Sequence, residues 1–248
     1  MFTNTLLSQL TTSIVPLRDN FLNLLSSWWW EKQKRQNILV FFASAFLVSI
    51  PVFFQAPLVR IFPWLSLLLT LFWFGLSFYA QRQPHSYLWG DILWGFSWSW
   101  LCGSIYWGWL RYNPAIHIPI EAIGLPFALW CLSKGWSKIG NYFYLGSLLG
   151  TAITDLYFYI VGLIPYWQEI MVTNPTLVKP ILQGAIAQVQ TVWGISWAVL
   201  LANVLLGISL YALVKKETHY IAFAGAVLAT IFTDALFLIV AYVSSISV

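Results

Sequence analysis

Two aspartates stand where an acid is costly. LLGTAITDLYFYIV at 148–161 places Asp155, and VLATIFTDALFLIV at 227–240 places Asp234, inside otherwise apolar sequence. Each acid follows one threonine directly and has another four positions back: Thr151 and Thr154 before Asp155, Thr230 and Thr233 before Asp234. An isolated charge at mid-bilayer costs ~2.5–3.5 kcal/mol on insertion scales, so such acids must be protonated, paired or wetted. Carboxylates held in that way can relay protons or cations, or form the polar end of a substrate pocket. The blander reading makes them helix glue, bonded to the threonines and to each other. Intramembrane bonds of that kind average ~0.6 kcal/mol, a small return against the insertion cost, and the comparison favours function.

Other polar residues are expected at the same level. Glu121 falls near the outer end of the fourth apolar run, and Arg111 and His117 flank the turn before it. Asn203 lies on the sixth run. Three acids, one arginine and one histidine are thus expected to gather, with Asn203 nearby. His117 and Glu121 are four apart, but Pro119 between them argues against a metal pair, and no metal site is expected. Asp91, at the start of the third run, reads as shallow enough to need no special account.

The elements that must position these residues are membrane helices. Hydrophobic residues make up 60% of the 248 positions and charged residues only 8%, against about 25% charged in a soluble domain. That excludes a water-soluble fold. Apolar runs cover 38–56, 61–80, 88–110, 118–133, 141–164, 191–214 and 219–243. A helix needs roughly 20 residues to cross the hydrocarbon core. Six runs meet that length, and the run at 118–133 is short and carries Pro119 and Pro126. Continuous rather than alternating apolarity rules against a transmembrane β-barrel. The expected fold is an all-α polytopic transmembrane helix bundle of about seven spans.

With seven spans, Arg18, Lys32, Lys34, Arg35, Arg82, Lys134, Lys138, Lys215 and Lys216 share one side, and Arg60, Arg111 and Lys179 the other. The positive-inside rule then predicts a cytoplasmic N-terminus and a C-terminus outside. The net charge of +4 is topology and calls for no nucleic-acid partner. Residues 1–36 are expected to form an amphipathic interfacial segment, with Phe21, Leu24, Leu25, Trp28 and Trp29 at helical spacing and the basic cluster against anionic lipid. Residues 37–248 form the bundle, interrupted by an amphipathic outer loop at 165–190, where a short helix is expected around Ile181, Ala185, Ile186 and Val189.

On the polar side, Tyr144, Ser147, Thr151, Thr154, Asp155, Phe158 and Gly162 share one face of the fifth span, and Thr230, Thr233, Asp234 and Phe237 one face of the seventh. Gly146 and Gly150, with Gly225 and Ala229, allow close approach of neighbouring helices. Trp94, Trp98 and Trp100 form a deeper aromatic stripe that either packs against neighbours or contacts a flat ligand. Cys102 and Cys131 read as small apolar fillers. The sequence has no Walker loop, no Cys-x-x-Cys and no Gly-x-Ser-x-Gly. No nucleophile–base pair or cofactor motif therefore points to an enzyme.

The segments NYFYLGSLLGTAITDLYFYIVGLIP and IYWGWLRYNPAIHIPIEAIGLPFALWCL resemble an uncharacterised family of cyanobacterial integral membrane proteins, domain-of-unknown-function family 3120. The resemblance covers most of the chain beyond residue 36. It implies a plasma or thylakoid membrane of a cyanobacterium and carries over no catalytic residues. The residues themselves point first to a small-solute or cation permease, with or without proton coupling, using Glu121, Asp155 and Asp234 with the four threonines. The alternative is a non-catalytic assembly or scaffold factor of a photosynthetic membrane, holding pigment, lipid or partner helices.

Overall fold

The computed structural model describes residues 31–174 and 177–246. The chain divides into a short unit, Met1–Leu39, and a large one, Val40–Val248. Of the short unit only 31–39 are described, and they are helical. The interfacial segment expected over 1–36 lies outside the described residues as far as position 30.

Apolar periodicity and proline punctuation account for the elements. Helix α1 runs over Glu31–Ile61 and widens by one residue per turn at Pro51–Gln55, where proline supplies no N–H to the helical ladder. Phe62 (φ −131°, ψ 66°) breaks the helix, and Pro63 opens α2, Pro63–Gln81, in the first turn, where its missing donor costs nothing. Helix α3, Tyr87–Ile105, ends in another widened turn, Tyr106–Leu110. Helix α4, Pro114–Ser133, is composite, with 3-10 turns at Pro114–Ile116 and Ala122–Gly124. Helix α5, Lys138–Val161, stops at Gly162 (φ 75°), the left-handed residue that commonly ends helices. Then come α6 (Ile164–Val172), α7 (Val178–Val189), α8 (Val192–Val214) and α9 (Thr218–Ile246). The described residues contain no strand.

Six helices are long and apolar enough to cross a membrane: α1, α2, α4, α5, α8 and α9. Helix α3, the run expected at 88–110, is not among them. Its glycines, serines and tryptophans lower its apolarity, yet it is the most enclosed helix, with eleven buried residues from Gly90 to Ser104. A helix that faces protein on most sides has less need of a lipid-like surface. It packs on α2 and α5. Around it, Val40, Ile92, Phe96, Trp100, Phe143, Ile221, Ala222 and Ala226 form the core.

Backbones meet most closely where α3 crosses α5. A Cβ on Gly95 would lie 1.9 Å from the Gly140 carbonyl oxygen, and one on Gly140 1.9 Å from that of Asp91. No residue but glycine fits either position. The connection at 165–190 forms two helices, α6 and α7, rather than one, because Pro165 starts α6 in its first turn. Gln188 and Trp193 donate to the last carbonyls of α5, at Val161 (2.9 Å) and Ile160 (3.0 Å).

Candidate functional site

His117 lies between two carboxylates. The Asn113 side chain accepts from the Ala115 N–H at 3.2 Å and turns the chain into the 3-10 turn that leads α4. The following helical turn, His117–Glu121, sets His117 and Glu121 on one face, four residues apart. Across from them, α5 presents Asp155. His117 Nδ1 is 3.0 Å from both Asp155 carboxylate oxygens, and Nε2 is 3.8 Å from Glu121 Oε1. The side chains are 15% exposed at His117, 20% at Asp155 and 11% at Glu121, so the group is sheltered but not sealed.

Aromatic rings form the walls. Tyr106 stacks on the His117 imidazole at 3.9 Å, and Trp107 meets it edge-on at 6.3 Å. Trp167 of α6 packs on Trp107 and Phe158 and donates to the Arg111 carbonyl at 3.3 Å. Tyr144 of α5 donates its hydroxyl to the Glu121 carbonyl. Gly124 makes room for that contact, since a Cβ there would press on the Tyr144 and Trp98 rings.

The second aspartate bonds the threonine that precedes the first. Thr154 Oγ1 donates to Asp234 Oδ2 at 2.7 Å, so the polar faces of α5 and α9 meet as their shared spacing suggested. Small residues permit the approach: Gly150 lies directly against the Thr230 side chain, and Gly146 against Phe223 and Ala226. Thr151 and Thr230 donate back to their own helices, to the Ser147 carbonyl at 3.2 Å and the Ala226 carbonyl at 3.4 Å. Thr233 is buried. Asp234 itself is exposed on the surface of α9.

Two residues expected in the cluster face elsewhere. Arg111 donates to the Trp107 carbonyl and the Tyr112 hydroxyl, both at 3.0 Å. The widened turn at the end of α3 leaves those acceptors within reach of its long side chain. Asn203 is exposed on α8 and donates to Val199 of its own helix at 2.8 Å. The tryptophan stripe is packed ring to ring: Trp94 and Trp98 against Phe74, and Trp98 stacked on Phe127 at 4.8 Å.

Asp91 needs more account than its shallow position suggested. It is only 2% exposed, and its carboxylate accepts from the N–H groups of Ile139 (3.2 Å) and Gly140 (3.1 Å). It thereby caps the start of α5 from a neighbouring helix, because Ser137 at the cap position makes no side-chain bond. Gln55 was also missed. Fully buried in the widened turn of α1, it donates to the Trp100 carbonyl at 2.6 Å and Ser104 Oγ at 2.8 Å. Its signal was a lone amide inside an apolar run.

Nδ1 of His117 is within hydrogen-bond distance of Asp155, and Nε2 faces Glu121 at 3.8 Å, within ion-pair reach but longer than a hydrogen bond. An imidazole so placed can take a proton at one nitrogen and release it at the other. Among the described residues no group of three or more His, Cys, Asp or Glu side chains is arranged to hold a metal ion.

Apolar helices of spanning length and an enclosed polar cluster define a helical integral membrane protein. The family described as Protein of unknown function (DUF3120) matches residues 44–242, most of the chain, and the chain belongs to it. No curated protein and no solved structure matches it.

Proposed function

We propose that the chain is a proton-coupled permease for a small solute or cation. The carrying observation is His117 held between Asp155 at 3.0 Å and Glu121 at 3.8 Å. In this reading Asp155, His117 and Glu121 exchange the proton, and Thr154 links them to Asp234, which meets the solute. Thr151, Thr230 and Thr233 shape the α5–α9 seam rather than bind. The basic helix ends, from Arg82 to Lys216, face the cytoplasm, α3 crosses as a seventh span, and the acid cluster opens outward.

The aromatic rings around His117 exclude bulk water on one side, and this strengthens the electrostatic coupling between the groups. The test is reconstitution into vesicles enclosing a pH-sensitive dye, with alkali cations and small amines offered in turn. The wild-type chain moves protons with one of them, and Asp155→Asn and His117→Gln each reduce the initial rate about tenfold or more, as for loss of a positioned proton carrier. Equal rates in wild type and both variants would end the relay reading.

A further inference from the structure

The exposed aspartate and an apolar groove lie on one face of α9. Asp234, Leu238 and Tyr242 recur every four residues, so they follow one another along the helix at steps of about 6 Å. Beginning at Leu238, a groove of about 260 Å³ runs between α9 and α7, lined by Ile186, Val189, Gln190, Leu238, Ile239 and Tyr242. Gln183 ties the far end of this helix pair together by donating to the Ser245 carbonyl at 3.0 Å. The groove is therefore framed by two helices, and Leu238 at one end of its lining lies one helical turn from Asp234.

We propose that this face binds a single-chain amphiphile with an ammonium head, the head at Asp234 and the tail along Leu238 to Tyr242. The proposal rests on the permease reading and names its substrate class. Charge complementarity selects the head. Asp234 lies near the middle of a 28-residue apolar span, accepts from Thr154, and is exposed on the helix surface. A carboxylate in that position is best matched by a cation that arrives through the bilayer.

The groove selects the tail. It is smaller than the ~300–1,000 Å³ of pockets that engulf a whole drug-sized ligand, and it is open along one side, which suits one chain rather than two. A phospholipid fits less well, because its phosphate would meet the carboxylate and its second chain has no groove. The tail leaves lipid for a surface that is equally apolar, so it gains little by transfer and serves to orient the molecule. Selectivity comes from the head.

Native mass spectrometry of the full chain, titrated with decyltrimethylammonium, tests this. Decyl maltoside supplies the tail without the charge, and tetramethylammonium the charge without the tail. One saturable decyltrimethylammonium per chain is expected, with neither control competing. Asp234→Asn should raise its Kd about tenfold or more, the loss of a charge contact worth one decade. Leu238→Trp, which fills the groove and keeps the carboxylate, should weaken it similarly.

His117→Gln should leave this binding unchanged, so a failed relay and a failed amphiphile site give different results. Uptake that never saturates, or that ignores both Asp234→Asn and Leu238→Trp, would overturn the proposal. So would equal binding of the neutral control. Should Asp234→Asn not purify as a monodisperse protein, Leu238→Trp and the two control ligands decide the matter alone.

Discussion

Two carboxylate sites near opposite ends of α5, one buried at Asp91 and one half-buried at Asp155, use the same group differently. At the start of α5, Asp91 is matched by two backbone N–H groups that cannot lose their protons. Towards its end, Asp155 is matched by an imidazole that can. The first arrangement is locked by two glycines, Gly95 and Gly140, each with backbone atoms where a Cβ would sit. The second is walled by rings, Tyr106, Trp107 and Trp167, that can shift without breaking a helix. Burial alone does not separate the two acids; under the proposed relay, the protons their partners can release do.

The sharpest way to break the contrast is at the crossing itself. Gly95→Ala brings a Cβ to 1.9 Å from the Gly140 oxygen and forces α3 and α5 apart. We expect a loss of about 3 kcal/mol or more, at the upper end of over-packing effects, read as a collapse of folded yield and melting temperature in detergent. Asp91→Asn is the next largest. Its amide turns one N–H toward a backbone N–H and leaves that donor unmatched, at about 1–3 kcal/mol. Proton flux per folded molecule should stay at the wild-type level, since Asp91 is no part of the relay.

Thr154→Val should cost less, about 0.6 kcal/mol for one intramembrane hydrogen bond, with decyltrimethylammonium binding retained. A melting curve and the same mass-spectrometric titration check it. Asn203→Leu should change neither stability nor flux measurably, because its one bond stays within α8. A clear loss of flux in that variant would mean that the site reaches α8 after all.

Much of this contrast was legible before any coordinates. Apolar run lengths located the helices, and the shared Thr-x-x-Thr-Asp spacing paired α5 with α9 because helical periodicity fixes which side chains share a face. Asp91 was misread because depth along one helix says nothing about what a neighbour lays against it. Gly90 and Gly95 beside Asp91, with Gly140 at the start of α5, were the available sign of a tight crossing. Arg111 shows another limit: a long side chain at a helix end has several acceptors within reach, and spacing does not choose among them. The two-helix form of 165–190 was hidden by its mixed composition.

The enclosure of α3 has a consequence for how the chain is made. Some of its polar atoms are matched by α2: Ser77 and Gln81 donate to the Gly90 carbonyl at 2.8 and 3.2 Å, and the Trp100 indole donates to the Ser66 carbonyl at 2.9 Å. Only the short turn between Gln81 and Tyr87 separates the two helices. A segment too polar to settle among lipids alone can leave the translocation machinery alongside the helix just synthesised. Biogenesis would then proceed by hairpins, and a ribosome pausing between α2 and α3 would hold the chain at its most vulnerable moment.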